Sequence, residues 1–132
     1  MKTQDPKAAS GILRGRVVVG IEPSLRSSLA EQACGRSLVI DSYRSWQCGT
    51  WIGDLTVGWA RVDLGPDYVE LAPLDGVRLF ADRRLLGFLR AAGPVVRLGG
   101  LPFRRRLGID LERPDLWIDY LEHPASFGLD EA

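Results

Sequence analysis

Glycine and proline cut this chain into short pieces, and that punctuation sets what it can fold into. The 132 residues include 15 glycines and 8 prolines. Many of them fall at the ends of short apolar runs, as in Glu22-Pro23-Ser24, Gly65-Pro66-Asp67, Asp75-Gly76, Gly93-Pro94 and Gly99-Gly100. Such signals mark turns and helix ends. The pieces between them read as six or seven short strands and two or three helices, with no internal repeat, low-complexity tract or inner linker.

Read in order, residues 1–10 are polar and form a flexible tail, and 11–123 form one globular domain. Val17-Val18-Val19 is a strand between two glycines. Leu25, Leu29 and Ala33 recur every four residues and place a short helix up to Cys34, with Gly35 past its end. Ser37 to Ile40 is a strand, leading into an irregular aromatic stretch from Tyr43 to Trp51. Leu55, Val57 and Trp59 share a parity that Val62 and Leu64 do not, so a bulge near 58–60 is expected. Asp75-Gly76 joins two strands as a hairpin. Asp82 caps a second helix, which Gly93 and Pro94 end. A strand at 95–98 and an alternating strand at 103–112 follow. Pro114 opens a last amphipathic helix to Glu122, and 124–132 form a second flexible tail.

Charge excludes some partners and leaves others. The 17 basic and 17 acidic residues cancel, so no overall field draws the chain to nucleic acid or anionic membranes. Locally, 83–106 holds seven arginines and no acid, whereas 107–132 holds seven acids and one arginine. The expected consequence is internal pairing of the two segments. The alternative is an anion site for a lipid head group or nucleic acid, using Arg83, Arg84, Arg104, Arg105 and Arg106. No apolar run approaches the ~20 residues of a membrane span, and the first ten residues lack the apolar core of a secretory signal. A cytoplasmic location follows as an expectation. The absence of asparagine and the excess of arginine over lysine suggest a high-GC bacterial genome.

Candidate chemistry is sparse. Cys34 and Cys48 match no disulfide framework or metal spacing and read as free, buried thiols. His123 is the sole histidine. A catalytic pair with Cys48 would need the two within hydrogen-bond reach, which nothing local enforces. Asp110 and Glu112 share a strand face about 7 Å apart, a spacing open to acid–base work or a hard cation but usual for a solvated face. Gly99-Gly100 lacks the pattern of a phosphate loop. No catalytic residue, metal or cofactor is therefore expected. Trp46 and Trp51 flank a glycine-containing turn; they suit either a partner-binding anchor or plugs at one end of a small barrel. Trp59 and Trp117 lie in apolar stripes and read as core.

The segment Arg106-Leu107-Gly108-Ile109-Asp110-Leu111-Glu112-Arg113-Pro114-Asp115, followed directly by the helix from Leu116 to Glu122, resembles the close of bacterial pleckstrin-homology-like domains. The likeness spans about residues 50–123. It implies a last strand feeding a helix that plugs an open barrel, and a binding module without catalysis. The helix after Asp82 and the N-terminal strand and helix depart from that pattern. The combined expectation is an α+β fold, with a curved antiparallel sheet or partly open β-barrel closed by a C-terminal helix. Its function would be non-enzymatic binding of another protein, a second copy of the chain included. A small enzyme relying on carboxylates or Cys48 is the remaining alternative.

Overall fold

Two features of the turns decide how the strands pair. Cys48 and Gly49 both take left-handed backbone angles (φ 51° and 80°), as do Asp75 and Gly76 (φ 52° and 85°). Consecutive left-handed residues make the tight turn that matches strand twist, so each pair closes a two-residue hairpin. The computed structural model describes residues 16–61, 64–101 and 104–128. Its strands are β1 (Gly20–Ile21), β2 (Ser37–Gln47), β3 (Thr50–Ala60), β4 (Tyr68–Leu74), β5 (Val77–Asp82), β6 (Pro94–Leu101) and β7 (Arg104–Leu111). Its α-helices are α1 (Leu29–Ala33), α2 (Leu86–Ala92) and α3 (Asp115–Glu122). Short 3₁₀ turns at Pro23–Leu25, Arg83–Leu85 and Pro124–Phe127 complete it.

The strands form two sheets, β3-β2-β5-β4 and β1-β6-β7. Neighbours are antiparallel except β2 with β5 and β1 with β6, which are parallel. The fold is α+β with a C-terminal helix, and the sheets remain an open pair. A single core fills the space between them. Leu25, Leu29, Leu38, Ile40, Leu79, Leu85, Phe88, Leu89 and Val96 are fully buried there. Each such side chain contributes about 1.5–3 kcal/mol relative to exposure. Phe88 sits among the rings of Trp117, Tyr120 and Phe127, with centroids 5.2 to 5.6 Å away, and α3 lies against α2 and β3. No helix among the described residues is long and apolar enough to cross a membrane.

Several expectations change. The aromatic stretch 43–51 is not irregular: β2 runs on to Gln47 and turns into β3 in unbroken register from Ser37↔Ala60 to Gln47↔Thr50. A cysteine in the first turn position conceals what Asn-Gly would have announced. That register leaves no room for a bulge near 58–60. β3 ends at Ala60, and Val62 lies outside the described residues. An irregularity does occur between Leu71 and Leu74 of the edge strand β4, where Pro73 removes a ladder donor. Val17-Val18-Val19 contributes no strand; pairing begins at Gly20↔Val95 and Gly20 to Ile21 is all of β1. The helix expected from Leu25 shortens to α1, after a 3₁₀ turn opened by Pro23. Past α3 the chain is no free tail as far as Gly128. The turn Pro124–Phe127 packs on α2, where Gly87 leaves room for the Phe127 carbonyl. The N-terminal tail 1–10 and residues 129–132 lie outside the described residues.

Candidate functional site

β2 and β3 are 11 residues each, but β2 meets β5 only at Leu38–Ile40. Beyond Ile40 the two strands continue as an arm. Strand alternation puts Trp46 and Trp51 on one face of it, directly paired, with rings edge to face at 5.3 Å. Arg44 lies over Trp51, its guanidinium carbon 3.7 Å from the ring centroid. Arg44 Nε also donates to the Leu121 carbonyl at 2.8 Å. That carbonyl is in the last turn of α3, where unpaired acceptors and the helix dipole favour a cation. Trp117 Nε1 donates to the Gly53 carbonyl at 3.2 Å, a second tie between α3 and the arm. The outer arm remains exposed and apolar: Trp46 is 58% exposed, Tyr43 57% and Ile52 40%.

At the root of the arm lies a cleft of about 390 Å³ lined by Ser42, Tyr43, Arg44, Arg84, Tyr120 and the Pro124–Ala125 segment. Arg84 is braced from behind. The buried Asp82 carboxylate accepts from its Nη2 at 2.7 Å, its Nε at 3.2 Å and its backbone N–H at 2.9 Å. Burial pushes the Asp82 carboxyl up, but the hydrogen bonds and charge of Arg84 outweigh this and hold it below the usual carboxylate range. Asp41 lies beside Asp82 and helps to hold its carboxyl low, and it accepts from the Tyr68 hydroxyl at 2.5 Å; that bond, with some burial, pushes the Tyr68 phenol up to about 12. Tyr120 is 7% exposed. Burial and the nearby Asp82 charge push its phenol up, against an opposing pull from Arg84 and Arg44.

A second cleft of about 490 Å³ follows the seam between β3 and β7. Its apolar wall includes Leu55, Val57, Trp59, Leu107 and Ile109, with Gln32 and Arg106 as polar members.

The candidates from the sequence are thus dispersed. Trp46, Trp51 and Arg84 lie along one continuous surface, linked through Arg44. Arg83 turns elsewhere, donating to the Pro66 carbonyl at 3.3 Å. Arg106 lines the seam, and the side chains of Arg104 and Arg105 lie outside the described residues. Of the expected pairing between basic and acidic segments, Arg97–Asp110 at 2.8 Å forms. Cys34 and Cys48 are exposed rather than buried, because each occupies a left-handed turn position at the surface. Cys48 sits at the tip of the arm and the exposed His123 just after α3. Neither lines either cleft. Among the described residues no three His, Cys, Asp or Glu side chains group as metal ligands. Sequence reasoning missed Ser42, Arg44 and Tyr120. Arg44 stood within a noted aromatic stretch, but only tertiary packing brings it to Tyr120.

No known family model matches the sequence, and no curated protein matches it either. Among solved structures, the chain is similar to Escherichia coli SufA, described as involved in the biosynthesis of iron–sulfur clusters. The two are 12% identical with a TM-score of 0.46, over 70% of this chain and 84% of that one. At that level of similarity nothing of SufA's role transfers to this chain.

Proposed function

We propose that this protein is a cytoplasmic, non-catalytic protein-binding module whose contact surface is the β2–β3 arm. One observation carries the reading: the arm holds Trp46 on one face and Tyr43 on the other more than half exposed, on a hairpin braced by Arg44 and Trp117. Exposed aromatics on a rigid support are the usual anchors of protein interfaces, since they bury large area at small entropic cost. Two free, exposed cysteines support a reducing compartment. The likeness of the last strand and helix to pleckstrin-homology-like modules points the same way, towards binding without catalysis.

The test is a capture experiment with the intact chain at physiological salt, paired with light scattering for self-association. A partner, or a second copy, retained by the native chain is expected to bind about 30-fold more weakly to Trp46→Ala, the scale of an interface anchor. Trp46 is mostly exposed, so the variant keeps its fold, which circular dichroism checks. Binding unchanged in both Trp46→Ala and Tyr43→Ala, or no partner and no self-association, would overturn the reading.

A further inference from the structure

We propose that the cleft at the root of the arm is a binding site for a small phosphate monoester, gripped by the guanidinium groups of Arg44 and Arg84 and the hydroxyl of Tyr120. The site adjoins the aromatic surface of the arm, with Tyr43 bordering both, and stands independently of the protein-binding reading.

Two independent observations lead here. The first concerns the arginines. Each is fixed along one edge and free along the other. Arg44 is held by its stack on Trp51 and by the bond from Nε to the Leu121 carbonyl. Among the described residues its two Nη groups have no partner. Arg84 commits Nε and Nη2 to Asp82, leaving Nη1 without a partner among the described residues. Guanidinium groups held this way bind an oxyanion with little further ordering, and planar forks of N–H donors suit phosphate oxygens.

The second observation is Tyr120. It is more than nine-tenths buried, yet its hydroxyl has no hydrogen-bond partner among the described residues. The atom is not sealed in the core. Tyr120 also lines the cleft, so its hydroxyl, which no protein group among the described residues occupies, is available there. Ser42 adds a second hydroxyl to the same wall.

The donor set selects the ligand. Arg44, Arg84, Tyr120 and Ser42 come from three separate segments of the chain. Two planar guanidinium forks with two hydroxyls beside them suit the three oxygens and the double charge of a phosphate monoester. Asp82 is spent on Arg84 and Asp41 on Tyr68. The cleft, at about 390 Å³, is larger than a phosphate group. The remaining space beside Tyr43 and Pro124 takes a compact organic portion such as an aromatic ring or a sugar.

Isothermal titration of the full chain with phenyl phosphate and with inorganic phosphate, against phenol as the neutral control, tests this. Saturable one-to-one binding of phenyl phosphate, without binding of phenol, is expected. Tyr120→Phe keeps every ring contact and Arg84→Gln keeps much of the side chain; each is expected to weaken binding at least about tenfold. Trp46→Ala is expected to leave it unchanged, which separates this site from the arm. No saturable binding of either phosphate probe to the native chain, or binding that Tyr120→Phe and Arg84→Gln both leave intact, would overturn the proposal.

Discussion

Asp82 shows how a single carboxylate sets both local structure and acid stability. It ends β5, and its side chain accepts from the Arg84 backbone N–H to open the turn into α2. Loss of such a cap costs about 1–2 kcal/mol. Its carboxyl is held below the usual range despite burial, because Arg84 donates three times to it. An unfolded aspartate titrates near 3.9. With the folded value lower, the unfolded chain takes up the proton first. The contribution is therefore present in full above about pH 4 and is lost as pH falls through the folded value. Urea unfolding of the native chain and Asp82→Asn at neutral pH and at pH 3 measures this. The variant keeps the cap acceptor but loses the charge paired with Arg84, so it is expected to be less stable at neutral pH by about 1 kcal/mol and to lose less on acidification. Exposed Glu70 and Asp115, also held low by their arginine partners, contribute equally to both proteins and cancel. Equal acid sensitivity in the two proteins would count against this account.

The second hairpin and the three helical caps were legible because their chemistry is local. Asp75-Gly76, Asp82, Gly93 and Pro114 each act within a few residues, and each stands where the sequence placed it. The arm was not legible. Its turn uses Cys48-Gly49, and its strands alternate large aromatics with polar residues on both faces, so no apolar period marks them. Nor was the phosphate cleft, whose members approach only after α3 docks on β3. Gly87 illustrates the same limit. By propensity alone, Gly87→Ala in α2 gains about 1 kcal/mol. In the fold an added Cβ would meet the Phe127 carbonyl oxygen at 2.1 Å. The substitution is therefore expected to destabilise the full chain by about 1–3 kcal/mol. In a chain ending at His123 the clash is gone, and the same substitution is expected to be neutral or stabilising. Thermal unfolding of the four proteins gives the comparison. Destabilisation of the shortened chain as well would mean that the C-terminal turn is not what Gly87 accommodates.

The relation of the two sheets is the property that depends on the whole molecule. β3 and β7 are both edge strands, and they face each other across the seam without pairing. Their registers say which backbone groups this leaves unpaired. In an antiparallel pair, alternate residues bond to the neighbour and the others point away. The Gly53 carbonyl points away from β2, since Trp117 reaches it, so Leu55, Val57 and Trp59 share that direction. Glu112 N–H bonds to the Gly93 carbonyl, so Gly108 and Asp110 face β6, while Leu107 and Ile109 face the seam. Among the described residues no backbone hydrogen bond joins β3 to β7, and mostly apolar side chains line the seam, with polar backbone on both rims. Such an edge is open to water and to slow local opening. Native-state hydrogen exchange is expected to alternate along both strands. The amides of Thr56, Gly58, Gly108 and Asp110 should be protected, and those of Leu55, Val57, Leu107 and Ile109 should exchange at least about tenfold faster, since only the former are paired within a sheet. Uniform protection across both sets would show that β3 and β7 pair in solution. The two sheets would then close into one barrel, and the seam would cease to be a cleft.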